Sequence, residues 1–129
     1  MYKTFNHAKT RILYHIIFST KYRRNCLDEI KTPLYEYLKL SEENFKIKEM
    51  KVDRNHIHFM IQAKPSKTIS TIVKRLKQYS TFYAWKNHRT HMKNNYWGTR
   101  HRLWTRGYFV CTIGEAGEET IKKYIENQG

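Results

Sequence analysis

The order of hydrophobic patterns along the chain predicts an α+β fold, a ferredoxin-like (RRM-like) antiparallel sheet of order β-α-β-β-α-β with an additional C-terminal helix. Three observations predict it. Four short runs rich in β-branched and aromatic residues punctuate the chain. Two stretches of helical periodicity separate the first run from the second and the third from the fourth. A turn of only a few polar residues joins the second run to the third, so those two form a hairpin.

The first strand is placed at "RILYHIIFST", residues 11–20, and "KYRRN" follows with three cations. A helix is expected from Leu27 to about Phe45, capped by Asp28, with Leu34, Leu38 and Leu40 on its apolar side and Pro33 delaying its start. "FKIKEMKVD" alternates imperfectly and reads as a half-buried strand, followed by the turn Asp53-Arg54-Asn55 and the strand "HIHFMIQAK". A long helix spans Thr68 to about His88. Ile69, Ile72, Val73, Leu76, Tyr79 and Tyr83 lie on one face, and Lys67, Lys74, Arg75 and Lys77 on the other. Residues 89–106 read as an irregular basic and aromatic stretch, "GYFVCTIG" as the last strand, and Glu118–Gln128 as the final helix. Glu118 and Glu119 at its start and Lys122 and Lys123 further on suit the helix dipole.

A chain of 129 residues without repeats or linkers fits one domain, 1–129, able to bury a core without staples. The formal net charge of +14 is spread from end to end and favours a polyanion, of which nucleic acid is the commonest. The alternative is a basic protein whose charge serves only solubility. Ten tyrosines and three tryptophans suit stacking on unpaired bases, although aromatics also fill ordinary cores. Cys26 and Cys111 have neither metal-ligand nor redox spacing and read as reduced thiols of a cytoplasmic protein. The N-terminus is too polar for a signal peptide, and no apolar run reaches membrane-spanning length.

The run "NHIHFM" carries the chemistry. In a strand, His56, His58, Met60 and Gln62 share one face, and Ile57, Phe59 and Ile61 share the other, which is the core face. The histidines then sit roughly 6 to 7 Å apart along the strand, near enough to converge on one cation. A solvated or hydrogen-bonded pair remains the commoner meaning of an isolated His-x-His. The His-x-His-x-Asp-His pattern of zinc hydrolases and the His-Glu-x-x-His helix of metalloproteases are missing, which disfavours both, and the missing Gly-rich phosphate loop argues against nucleotide hydrolysis as an energy source. In "TIKKYIENQG", Tyr124 and Gln128 lie four apart on one helix face beside the stripe of Ile121 and Ile125. Tyr124 could reach a metal-bound phosphate and the Gln128 carbonyl could ligate the same ion, or the ring could simply pack at the core edge. His15, His88, His91 and His101 fall outside these motifs and receive no role.

His56-Ile57-His58 resembles the His-hydrophobic-His motif of the HUH endonuclease superfamily, and "KYIENQ" resembles the catalytic helix of its single-tyrosine transposases. These are the IS-two-hundred-like enzymes of small bacterial and archaeal insertion sequences. "YHIIFSTKYRR", "DRNHIHFMI" and "LWTRGYFVCTIG" fit the same family in the same order, so the resemblance covers nearly the whole chain. Arg54 before Asn55 departs from the acidic or proline-containing turn expected, as does the end directly after Gln128-Gly129, without a short polar tail.

The resemblance implies a DNA transposase that cuts and rejoins hairpin-bearing single-stranded DNA without ATP. His56, His58 and Gln128 would bind Mg²⁺ or Mn²⁺, and Tyr124 would form a 5′-phosphotyrosine intermediate. It also implies a homodimer whose tyrosine helices exchange about a hinge at Gly114 and Gly117, although these glycines could equally be a turn and a helix start. Candidate DNA contacts are Lys21, Arg23, Arg24, Lys74, Arg75, Lys77, Arg100, Arg102 and Arg106, with Tyr96, Trp97 and Trp104 as stacking platforms. No membrane or nucleotide cofactor is expected. Two rivals remain, a catalytically silent nucleic-acid-binding module on the same sheet and a metal-dependent phosphodiesterase using water.

Overall fold

The computed structural model describes residues 11–115; the expected final helix, with Gly117, Tyr124 and Gln128, lies outside them. The elements in chain order are β1 (Ile12–Ser19), α1 (Lys31–Leu38), β2 (Phe45–Asp53), β3 (His56–Ala63), α2 (Ile69–Asn87), α3 (Arg89–Asn95) and β4 (Phe109–Glu115). The strands form one sheet of order β2-β3-β1-β4, every neighbouring pair antiparallel. Each helical connection therefore skips one strand, α1 joining β1 to β2 and α2 leading toward β4, which is the plaited topology expected.

Alternation along the central strands builds the core. Ile16 and Phe18 of β1 and Ile57, Phe59, Ile61 and Ala63 of β3 are buried in one cluster with Leu34 and Leu38 of α1 and Ile72, Val73 and Leu76 of α2. At roughly 25 cal/mol per Å² of apolar surface, this layer is the main source of stability. Phe18 anchors it through edge-on contacts to Phe59 and Trp104, with ring centroids 5.4 and 5.3 Å apart. The hairpin β2–β3 turns through Arg54 and Asn55, with Asp53 paired to His56 and Arg54 in the left-handed region at φ 50°.

Two helical expectations are corrected. α1 starts at Lys31 after Ile30, and no side chain caps it; Asp28 instead approaches Lys31 in an exposed pair 3.9 Å apart. Leu27 and Ile30 are buried before the helix begins, and Pro33 falls in its first turn, where a missing N–H costs nothing. α1 then tightens into a 3-10 turn over Lys39–Ser41, and Leu40 is 67% exposed, not on the apolar side. The stretch 89–106 is not wholly irregular, since α3 occupies its first seven residues and buries Met92. α2 runs close to its expected bounds, and the Thr68 hydroxyl accepts from the Thr71 N–H as its N-cap. Among the described residues no helix is long and apolar enough to cross a membrane.

Candidate functional site

The face of the sheet away from α1 and α2 carries the histidines. Across β1 and β3 its paired positions are Leu13 with Gln62, His15 with Met60, Ile17 with His58 and Ser19 with His56. Leu13 and Met60 are fully buried on this second face, and His15, His56 and His58 are half-buried. β2 adds Lys51 opposite His58 and Asp53 opposite His56. The expected common face of His56 and His58, opposite Ile57, Phe59 and Ile61, is what the burial pattern iBiBBBiB of β3 contains.

Each histidine is held by its Nδ1. His56 Nδ1 lies 2.5 Å from Asn55 Oδ1, and Asn55 Nδ2 donates to the Arg23 carbonyl at 3.5 Å. His58 Nδ1 lies 3.3 Å from Nε2 of His15, whose ring stacks on it with centroids 5.4 Å apart and planes inclined by 28°. The His15 contact is diagonal, since its direct partner is Met60. Burial pushes the His15 imidazole below its ordinary pKa. Burial first, then the neighbouring His15 and His56, do the same to His58, with Asp53 opposing. Both rings are therefore neutral at pH 7, the form that ligates metals.

With both Nδ1 atoms engaged, Nε2 is the remaining ring nitrogen of His56 and of His58, and in the tautomer that carries its proton on Nδ1 each would fit a divalent cation. Among the described residues no three His, Cys, Asp or Glu side chains gather at one point, so the pair would need at least one further ligand. Gln128, the residue expected to supply it, lies outside the described residues, as does Tyr124.

A basic loop cluster adjoins the same end of the sheet. The Thr20 N–H donates to the Asn55 carbonyl, Lys21 N–H to the Leu103 carbonyl, and Thr105 N–H to the Ser19 carbonyl. Tyr22 and Arg23 adopt left-handed backbone angles, φ 60° and 52°, which curl this loop beneath the hairpin turn. Lys21, Lys77, Arg100, Arg102, Trp104 and Arg106 line one hollow of ≈360 Å³. Arg24, Trp97 and Arg102, with Tyr22 and Tyr96, line another of ≈650 Å³.

The candidate DNA contacts divide by what they touch. Trp97 is 70% exposed and lies under the Arg24 guanidinium, 4.8 Å from its ring centroid, a surface suited to stacking. Trp104 is in the core, its indole N–H donating to Ser80 at 2.7 Å, and Tyr96 is buried with its hydroxyl donating to the Leu103 carbonyl. These two rings support the loop and are not open platforms. The Lys77 ammonium donates to the Thr105, Arg106 and Gly107 carbonyls, and Arg75 to the Ser41 carbonyl while approaching Glu43. Both cations thus have internal duties. Lys74 is exposed on α2, and Arg23 contributes its carbonyl to Asn55. Gly114 sits at φ 134°, beside the point where Ile113 bulges out of the β1–β4 register, a backbone angle that demands glycine.

His15 lies in no sequence motif, yet the fold brings its ring onto His58. A signal was available, because His15 occupies the same face of β1 as Ile17, but only the β1–β3 register brings it to His58.

Comparison with known proteins agrees with this architecture. A family described as "Transposase IS200 like" matches residues 8–128. The transposases for insertion sequence element IS200 of Salmonella typhimurium and Salmonella typhi are each 30% identical over 129 residues, spanning 98% of this chain and 82% of theirs. A solved candidate transposase from Deinococcus radiodurans is 30% identical and superimposes with a TM-score of 0.65, covering 92% of this chain and 91% of that one. A REP-associated tyrosine transposase bound to a REP hairpin shares the fold at 13% identity and TM-score 0.59, over 89% of this chain and 62% of its own. A family match over nearly the full length, on a sheet that presents the paired histidines beside a basic loop, places the chain in the IS200-like transposase family.

Proposed function

We propose that this chain is a metal-dependent, single-tyrosine HUH strand transferase that cuts and rejoins single-stranded DNA at hairpin ends of an insertion sequence. The observation that carries the reading is the pair His56 and His58 on one sheet face, each held through Nδ1, which leaves Nε2 as the nitrogen that would ligate. When bound, Mg²⁺ or Mn²⁺ would polarise the scissile phosphate and stabilise charge in the transition state. His56, His58 and Gln128 are the protein ligands of this reading.

The Tyr124 phenol oxygen attacks phosphorus and loses its proton. The bond from phosphorus to the 3′-oxygen breaks, and that oxygen leaves as a hydroxyl on taking up a proton. One phosphodiester is exchanged for a 5′-phosphotyrosine, so resealing needs no ATP. The exposed Trp97 and the cations Lys21, Arg24, Arg100, Arg102 and Arg106 offer a stacking ring and phosphate contacts at the histidine end of the sheet. Gly114, at a φ of 134° that glycine adopts freely, is compatible with a hinge, with Gly117, through which homodimer partners exchange tyrosine helices.

The test is a covalent adduct. Full-length protein is incubated with hairpin-bearing single-stranded DNA and Mn²⁺, with Tyr124→Phe as control. The reading expects an adduct from the wild-type protein and none from the variant. Tight binding without any adduct would leave a silent binding module, and cleavage persisting in Tyr124→Phe would make water the nucleophile.

A further inference from the structure

We propose that His15 and Asn55 are positioning residues that lock the tautomers of His58 and His56, so that both imidazoles present an unprotonated Nε2 to one divalent cation. The inference rests on the metal reading of the histidine pair given above.

The two locks differ chemically but have the same outcome. An amide oxygen accepts hydrogen bonds and cannot donate, so the 2.5 Å contact requires the proton of His56 on Nδ1. The network disfavours the turned-over Asn55 amide, which would offer nitrogen instead. Its Nδ2 faces the Arg23 carbonyl at 3.5 Å, and a flipped amide would set oxygen against oxygen there. The left-handed turn at Tyr22 and Arg23 aims that carbonyl at the hairpin. His56 is thus held by a relay from backbone to amide to imidazole.

At His58 two arrangements satisfy the 3.3 Å contact with His15. If His15 donates, the His58 Nδ1 lone pair is spent and its proton sits on Nε2, leaving no lone pair for a cation. If His58 donates from Nδ1, its Nε2 is free to ligate and His15 is the acceptor. Only the second arrangement is compatible with a metal, and it matches the state imposed on His56. Stacking of the two rings at 5.4 Å also limits rotation of His58 about its side-chain bonds. Ligating histidines commonly donate their second nitrogen to a fixed acceptor, and loss of that acceptor weakens metal affinity by about 10–100-fold.

The test uses full-length protein and two readouts. Nitrogen–proton correlation NMR of the metal-free protein reports the tautomer of each histidine, and Mn²⁺ titration followed by electron paramagnetic resonance reports affinity. In the wild-type protein His56 and His58 should both carry their proton on Nδ1. His15→Phe, which keeps a flat ring but accepts nothing, should mix the His58 tautomers and weaken Mn²⁺ at least about tenfold. His15→Gln, whose side-chain oxygen accepts, should recover most of that loss. Asn55→Ala should act on His56 in the same way, and Asn55→Asp should retain affinity.

A His58 proton on Nε2 in the wild-type protein would overturn the inference. So would Mn²⁺ affinity that is lost in His58→Ala yet unchanged in His15→Phe and Asn55→Ala. Wild-type protein that takes up no Mn²⁺ while holding both Nδ1–H tautomers would instead overturn the metal reading, and the positioning role with it.

Discussion

The two faces of the central strands are built from alternate residues of the same segments, yet they do different work. Toward the helices, β3 offers Ile57, Phe59, Ile61 and Ala63, all buried against α1 and α2. Toward the other side it offers His56, His58 and Gln62, half-buried, with Met60 as the one fully buried member. The helix face is collective, because many apolar side chains share its burial. The histidine face is specific, because Nδ1 of His56 and Nδ1 of His58 each have one named partner, Asn55 and His15. Losses on the first face should therefore appear in stability and, under the proposed function, losses on the second in metal affinity and chemistry.

The largest test of that division is Phe59→Ala. Phe59 fills the centre of the core against Phe18, and its removal should cost about 3–5 kcal/mol of unfolding free energy, read by urea titration. Folded variant should keep its Mn²⁺ affinity at low temperature. A loss under 1 kcal/mol would show that the helix face is not the main store of stability.

Next is His58→Ala, which should lower metal-dependent cleavage by about a thousandfold, corresponding to about 4 kcal/mol of transition-state stabilisation. On the proposed reading, salt-sensitive DNA binding should persist, since the cations of the basic loop would carry the phosphate contacts. Unchanged cleavage would remove His58 from the site. Thr68→Ala should cost about 1 kcal/mol through loss of the α2 cap and leave both activities intact.

The smallest expected effect lies within the histidine face and runs through protons. His15 and His58 have folded pKa values below their ordinary value of 6.5, so the unfolded chain binds more protons in this range. The stability of the metal-free protein is therefore full above pH 6.5 and declines as pH falls through the lowered folded values. Denaturant titrations between pH 7.5 and 5 should show this decline, and His15→Gln with His58→Gln together should flatten it. An unchanged slope in the double variant would place the titration elsewhere.

Much of this arrangement was legible in residue order. β2 begins and ends where the alternation of "FKIKEMKVD" does, and α2 starts one residue after its capping Thr68. The start of α1 was less legible, because Leu27 and Ile30 are apolar whether helical or not, and burial in a turn satisfied them equally. α3 was missed because it is short and polar, with Met92 as its only buried residue. Trp104 and Lys77 drew attention as an aromatic and a cation. Packing instead committed the ring to the core and the ammonium to three carbonyls.

The sequence by itself determined the strand alternation that sets His56 and His58 opposite the core, because side-chain direction in a strand follows from the backbone's period of two. It also carried the ordered motifs through which the chain resembles its family, whose model matches residues 8–128. Only the tertiary structure decided which atoms hold those histidines. His15 lies 43 residues before His58, and Arg23 lies 32 before Asn55. Such contacts depend on the pairing of β1 with β3 and on the curl of one loop under another, and periodicity, being local, carries no information about either.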